Sequence, residues 1–291
     1  MKKILVPVDF SDHTENVCRF AYEIAKKTGA ELRLFHAYLD YVIVSGSAFP
    51  YSVDISEMFN QEVMVKVRED AKKELLNIEE ELNRKIKAEN IDNVHVKHTL
   101  TGGIPEEEII NISEAWEPDL IVMGTHGKGQ KDFLTGKIST KVVQNVNCQI
   151  LTIPRCARYH GFDNMLYATD FNDEDVYDLQ RLIDLISNYN PVIHCLHINF
   201  DADHSADIEK MESLKSHFRE KSYYGKLIFK VIEDVDFLQG INNYVSENKI
   251  DIIAIVNHRR GFLKRLFTKD HTRELLFHSD LPLKIFPGVN K

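Results

Sequence analysis

The chain has 291 residues, with 36 Lys and Arg against 45 Asp and Glu, a formal charge of −9. A hydrophobic share of 43% is that of a folded, water-facing protein, and the acid excess argues against nucleic acid or an anionic membrane as the main partner. No apolar run approaches the roughly 18 residues of a membrane span. The four cysteines form no C-x-x-C pair, and the start, MKKILVPVDFSD, reads as a buried strand and not a signal peptide, so a cytoplasmic protein with reduced thiols is expected.

Residues 3–8, KILVPV, form a first strand that ends in Asp9-Phe10-Ser11-Asp12, with Ser11 or Asp12 able to cap the next helix. That helix carries Val17, Phe20, Ala21, Ile24 and Ala25 at helical spacing and stops at Gly29. Residues 31–37, ELRLFHA, are a second strand. Residues 38–60, with Gly46, Pro50 and several serines and aromatics, are expected to be a loop or flap. A long helix is predicted over 61–90, with Leu75, Ile78, Leu82 and Ile86 in one stripe. Residues 94–100 are a third strand. Thr101-Gly102-Gly103 turns the chain, and Pro105 followed by three glutamates begins another helix.

The run from Asp119 to Pro154 carries the chemistry. Leu120–Met123 has the length of a buried strand, Gly124, Gly127 and Gly129 follow, and Gly136 precedes a helical pattern of Ile138, Val142, Val143 and Val146. Ile150–Ile153 closes the run as a strand. Strand, glycine loop and helix start together make an anion cradle, because glycine lets the backbone approach and free amides point at the ligand. Two standard templates fail. The glycines are spaced G-x-x-G-x-G where the dinucleotide fingerprint needs G-x-G-x-x-G. For a Walker loop, Lys131 stands in place of the first glycine and Ile138 in place of the hydroxyl. A bare strand-to-helix turn is the competing explanation.

The chain then repeats. Lys3–Ser11 returns as Asn164–Asn172, and Asp170 and His197 each lie 161 residues beyond Asp9 and His36. Pro118–Met123 returns as Ile250–Ile255, and the closing strand returns as Leu283–Pro287. Alternating strands and helices imply parallel sheets covered on both faces. Two α/β domains are expected, 1–157 and 158–291.

A strand ending P-V-D-F-S, a strand running into MGTHGKG, and a glycine ahead of a hydroxyl-bearing helix start together resemble the universal stress protein family. The tandem repeat makes the chain similar to a two-domain member. The resemblance implies doubly wound five-stranded parallel sheets of order 3-2-1-4-5. It also implies an internal pseudo-dimer made by the last strands, Ile150–Ile153 and Leu283–Phe286, with a homodimer and an unnamed protein partner compatible. Some members bind ATP. The resemblance therefore implies an adenine nucleotide, with Mg where the triphosphate carries it and no other metal. Asp9 would meet adenine or ribose beside Pro7 and Val8, His36 and Ala37 would line the adenine slot, Met123, Gly124 and Gly127 would pass under ribose and phosphates, and Gly136 and Ser139 would close on the phosphates. Two departures stand out. Eight residues separate Gly127 from Gly136 where the family motif has nine, and Lys137 replaces Ser or Thr. A lysine can still serve a triphosphate as a point charge.

Other constellations carry less. His194, Cys195 and His197 sit on one strand, where only Cys195 and His197 share a face, too few for a metal. His126 has no nucleophile and carboxylate placed beside it, so no catalytic site is assigned, and any ATP hydrolysis is expected to be slow and incidental. In the second half, Val256 and Arg259 replace glycines of the loop. The basic run His258, Arg259, Arg260, Lys264 and Arg265, with Phe262, Leu263, Leu266 and Phe267, reads as structure or a docking surface and not a phosphate cradle. The readings left open are a nucleotide-binding stress-response protein, a ligand-free scaffold of the same fold and, with least support, an adenylating enzyme.

Overall fold

A computed structural model describes residues 1–40, 53–125, 137–169, 171, 174–200, 205–257 and 281–287. Contacts divide the chain into two units, Met1–Cys148 and Gln149–Lys291.

The first unit runs β1 (Lys3–Pro7), α1 (Thr14–Thr28), β2 (Glu31–Tyr38), α2 (Val53–Ala88), β3 (His95–Gly102), α3 (Pro105–Trp116), β4 (Leu120–Gly124) and α4 (Lys137–Asn145). β1 lies between β2 and β4, and β3 lies outside β2, with every pairing parallel. The order β3-β2-β1-β4 buries the central strands on both faces, which is why they are unbroken apolar runs: Ile4, Leu5, Val6, Leu120, Ile121 and Val122 are fully buried. Helix α1 buries Val17, Phe20, Ala21, Ile24 and Ala25 as its periodicity predicts. It ends at Gly29, whose φ of 67° lets its N–H reach the Ala25 carbonyl.

Three local expectations shift. The residue at the α1 cap is His13, not Ser11 or Asp12, and no side chain caps it. The Ser11 hydroxyl instead donates to Asp9 Oδ1 at 2.7 Å. β2 runs on to Tyr38, and α2 begins at Val53 where a flap was expected through residue 60. Residues 53–60, VDISEMFN, contain no glycine or proline, so nothing local stops the helix once Pro50 is passed. Residues 41–52 lie outside the described residues.

The second unit runs β5 (Gln149–Ile153), β6 (Asn164–Ala168), α5 (Asp175–Ile186), β7 (Val192–Asn199), α6 (Ser205–Ser216), β8 (Leu227–Glu233), α7 (Phe237–Asn248), β9 (Ile252–Asn257) and β10 (Leu283–Pro287). Parallel pairing gives β8-β7-β6-β9-β10, which is the order 3-2-1-4-5. β5 lies antiparallel on β10, with Ile150 opposite Ile285. These are the two strands expected to meet. The ladder explains why the contact boundary falls ahead of β5, although the repeats alone divide the chain after it.

The repeat extends to single hydrogen bonds. Asp119, just before β4, accepts the Lys3 N–H at 2.9 Å, and Asp251, just before β9, accepts the Asn164 N–H at 2.8 Å. Glu117 and Lys249, ending α3 and α7, both adopt left-handed φ values of 49° and 51°.

Candidate functional site

At the carboxyl end of β1 the chain turns through Phe10, held at φ 57°. A non-glycine residue there needs support, and His36 supplies it. Its Nδ1–H donates to the Val8 carbonyl at 2.7 Å, and its ring lies on Phe10 with centroids 4.2 Å apart. The same device recurs in the second unit: His197 Nδ1 donates to the Thr169 carbonyl at 2.9 Å and stacks on Phe171, whose φ is 58°. The two histidines singled out by sequence therefore shape the strand ends in both units.

Beyond this turn the first unit opens into a cleft of about 150 Å³ at the carboxyl ends of β1, β2 and β4. Eight of the residues singled out by sequence line it: Pro7, Val8, Asp9, His36, Ala37, Met123, Gly124 and Ser139. Gly127 and Gly136 lie outside the described residues. Lys137 begins α4 by its backbone. Sequence reasoning missed the contributions of the helices. His13, Thr14 and Val17 from α1 and its approach line the cleft, as do Pro105 and Ile109 from α3, Phe35 and Thr125 from strand ends, and Ile138 from α4. Val17 and Ile138 were legible only as members of apolar helical patterns, which do not tell a cleft wall from a core.

Asp9 is the polar centre of the cleft. Its Oδ1 accepts from the Ser11 N–H at 3.1 Å, the Ser11 hydroxyl at 2.7 Å and the Thr14 hydroxyl at 3.2 Å. Its Oδ2 is buried and meets no hydrogen-bond donor among the described residues. A buried carboxylate oxygen left unpaired costs about 1–3 kcal/mol or more, which makes this oxygen a candidate contact for a donor. The walls around it are apolar: Val8, Val17, Ile109 and Met123 are all at least nine-tenths buried. Lys141 of α4 donates to Glu106 of α3 at 2.7 Å, tying together two neighbouring helices that each contribute residues to the cleft wall. This hydrogen bond with Glu106 raises the Lys141 ammonium above its ordinary range.

In the second unit two of the residues at equivalent positions are acidic. Thr169, Asp175 and Asp178 stand 161 residues beyond Val8, Thr14 and Val17. Asp175 and Asp178 are buried, and Asp175 accepts from the Tyr167 hydroxyl at 2.8 Å and from the Thr169 hydroxyl. Asp207, in the first turn of α6, accepts from Asn199 Nδ2 at 2.7 Å and Lys210 Nζ at 2.9 Å, and His197 Nε2 lies 3.2 Å away. Lys210 also sits 5.5 Å over the Phe171 ring. The basic run from His258 to Arg265 and the apolar residues beside it lie outside the described residues.

Among the described residues no group of three or more His, Cys, Asp or Glu is arranged to hold a metal, and no helix is long and apolar enough to cross a membrane. Cys18 and Cys195 are buried, and burial pushes the Cys18 thiol up to about 12, away from the reactive thiolate.

A doubly wound parallel sheet with a lined cleft beside the point where its strand order reverses defines a doubly wound α/β domain, with the cleft where such sheets place a candidate site. The profile of the universal stress protein family matches residues 1–154 and again residues 161–287, and the chain belongs to that family. It is 31% identical over 161 residues to the universal stress protein MJ0577 of Methanocaldococcus jannaschii, covering 53% of this chain and 95% of that protein. It is likewise 31% identical over 153 residues to the universal stress protein YxiE of Bacillus subtilis, covering 52% and 97%. A universal stress protein from Archaeoglobus fulgidus shares the fold over nearly the whole length, with 98% of this chain and 96% of that one covered, a TM-score of 0.62 and 20% identity.

Proposed function

We propose that this stress-response family member binds one adenine nucleotide, ATP, in the cleft of its first unit. It would act in the cytoplasm through conformation or a protein partner and not through rapid catalysis. The observation that carries this reading is the buried, unpaired Oδ2 of Asp9 in an apolar slot. Adenine offers an exocyclic amine, and ribose offers hydroxyls, as donors to that oxygen. Val8, Val17, Ile109 and Met123 suit the faces of a base. Ser139 near the start of α4 lies where phosphate oxygens would meet a hydroxyl and helix amides, and Lys137 supplies a cation to the same end of that helix. The acidic residues of the second unit, Asp175 and Asp178, support a division of labour with at most one nucleotide per chain. Mass spectrometry of the purified, denatured chain tests the reading together with titration calorimetry on the nucleotide-free protein. Co-purifying ATP and a stoichiometry near one are expected. A bare protein that takes up no ATP would leave a ligand-free scaffold, and steady turnover of a second substrate would point to an adenylating enzyme.

A further inference from the structure

Ser and Thr at the start of a helix ordinarily turn their hydroxyls to the helix's own free amides. At the start of α1 no side chain caps the helix at His13. The hydroxyls of Ser11 and Thr14 both donate to one atom instead, Asp9 Oδ1, at 2.7 and 3.2 Å. The Ser11 N–H donates to the same oxygen at 3.1 Å, closing a turn made by the aspartate on its own backbone. The Ser11 hydroxyl oxygen also accepts the His13 N–H at 3.3 Å, so Ser11 is itself held between Asp9 and the approach to the helix.

Asp9 thus has three donors on Oδ1 and, among the described residues, none on its buried Oδ2. A carboxylate has room for about four hydrogen bonds over its two oxygens, and a solvated one rotates to share them. Here rotation would break three hydrogen bonds together. Thr14 is only 7% exposed, so releasing its hydroxyl from Asp9 costs free energy as well. The second unit lacks the device. Asp175, 161 residues beyond Thr14, is an acceptor where Thr14 is a donor, and it takes the hydroxyls of Tyr167 and Thr169.

We propose that Ser11 and Thr14 are positioning residues for the nucleotide: they clamp the Asp9 side chain in one orientation, so that the cleft selects its ligand by a hydrogen-bond donor placed on the line of Oδ2. The inference rests on the nucleotide reading of the cleft. The donor is the exocyclic amine of the base or a ribose hydroxyl. Pre-organisation of this kind lowers the cost of binding without adding a contact. Thr14 also lines the cleft, so a direct contact with the ligand is the rival role. The two roles differ in one respect: a direct contact would survive the loss of Asp9, whereas a positioning role would vanish with it.

Titration calorimetry of the full chain with ATP reads this as a double-mutant cycle. Thr14→Val keeps the side-chain shape without the donor and should weaken ATP about fivefold to tenfold, while Thr14→Ser should bind as the parent does. In an Asp9→Ala background Thr14→Val should cost nothing further. Inosine triphosphate and the 2′- and 3′-deoxy forms of ATP identify the donor: the analogue lacking it should be weaker than ATP on the parent and lose little more on Thr14→Val. In the nucleotide-free chain, scalar couplings of the Asp9 β-protons should show one rotamer in the parent and averaging in Ser11→Ala/Thr14→Val. Losses that add in the cycle, equal losses for all four nucleotides, or an averaged Asp9 rotamer in the parent would overturn the clamp while leaving ATP binding intact. A parent that takes up no ATP would overturn the nucleotide reading and the positioning role with it.

Discussion

Lys284 gives the sharpest quantitative test. It lies in β10, opposite Leu151 of β5 and Ala254 of β9, and is only 4% exposed. Its ammonium lies 5.4 Å over the Phe286 ring, and among the described residues it meets no carboxylate. Burial pushes the amine from its ordinary 10.5 down to about 8. At about 1.36 kcal/mol per unit of pKa, that difference corresponds to roughly 3 kcal/mol of destabilisation carried by the charged form. The unfolded chain binds the proton more tightly, so the penalty is fully present below the folded-state value of about 8 and is relieved as pH rises towards 10.5. Lys284→Met keeps the length and apolar body of the side chain without the charge. It should stabilise the second unit by about 2–3 kcal/mol near neutral pH, allowing for the lost contact with the ring. Urea denaturation of both proteins at about pH 7 and pH 10 measures the difference, and hydrogen exchange of β9 and β10 amides assigns it to that unit. The advantage of the variant should shrink at the higher pH. A variant less stable than the parent, or a difference that does not change with pH, would refute the reasoning.

Asp9→Asn replaces an acceptor oxygen by an amide and should weaken ATP binding by about 1.5–3 kcal/mol, as for a hydrogen bond to a charged group; an unchanged calorimetric dissociation constant would remove Asp9 from the site. Gly127→Val should abolish binding, because a branched side chain resists unusual dihedrals and fills the space an anion needs; equal affinity in equilibrium dialysis would move the cradle elsewhere. The Asp207 carboxylate is held below its ordinary range of 3.8 chiefly by Lys210, with Asn199 and His197 adding to it. Asp207 therefore contributes stability that is present above that range and lost as pH falls through the folded-state value. Asp207→Asn should melt earlier than the parent near neutral pH and converge with it in acid, as followed by differential scanning calorimetry.

Much of the fold was legible because buried parallel strands are short apolar runs and because the chain states its pattern twice. Leu120–Met123 and the 161-residue spacing of the aspartates and histidines are enough to place the strands and the repeat, while the strand order was implied by the family resemblance. The cleft was legible where it is made of strand ends, such as Asp9 and Met123. It was not legible where helices contribute, because Val17 and Ile109 carry the same periodicity whether they face a core or a cavity. The start of α2 was misread because Pro50 and the serines around it suggest a longer loop than the residues after them support. Asp175 and Asp178 had no signal at all. Acidic residues in a first helical turn look like ordinary dipole partners facing water, and only their burial beside Tyr167 and Thr169 sets them apart.

The pairing of β5 with β10 bears on how the chain can be dissected. The repeats invite a cut between Pro154 and Gly161, but a fragment beginning there would leave behind the strand that covers β10. Its bare edge would offer unpaired amides and carbonyls to any other strand, and fragments would be expected to swap or aggregate. A cut ahead of Gln149 keeps the ladder from Ile150 to Ile285 intact. Binding measured on a second half prepared the first way would report on an exposed edge as much as on the unit itself.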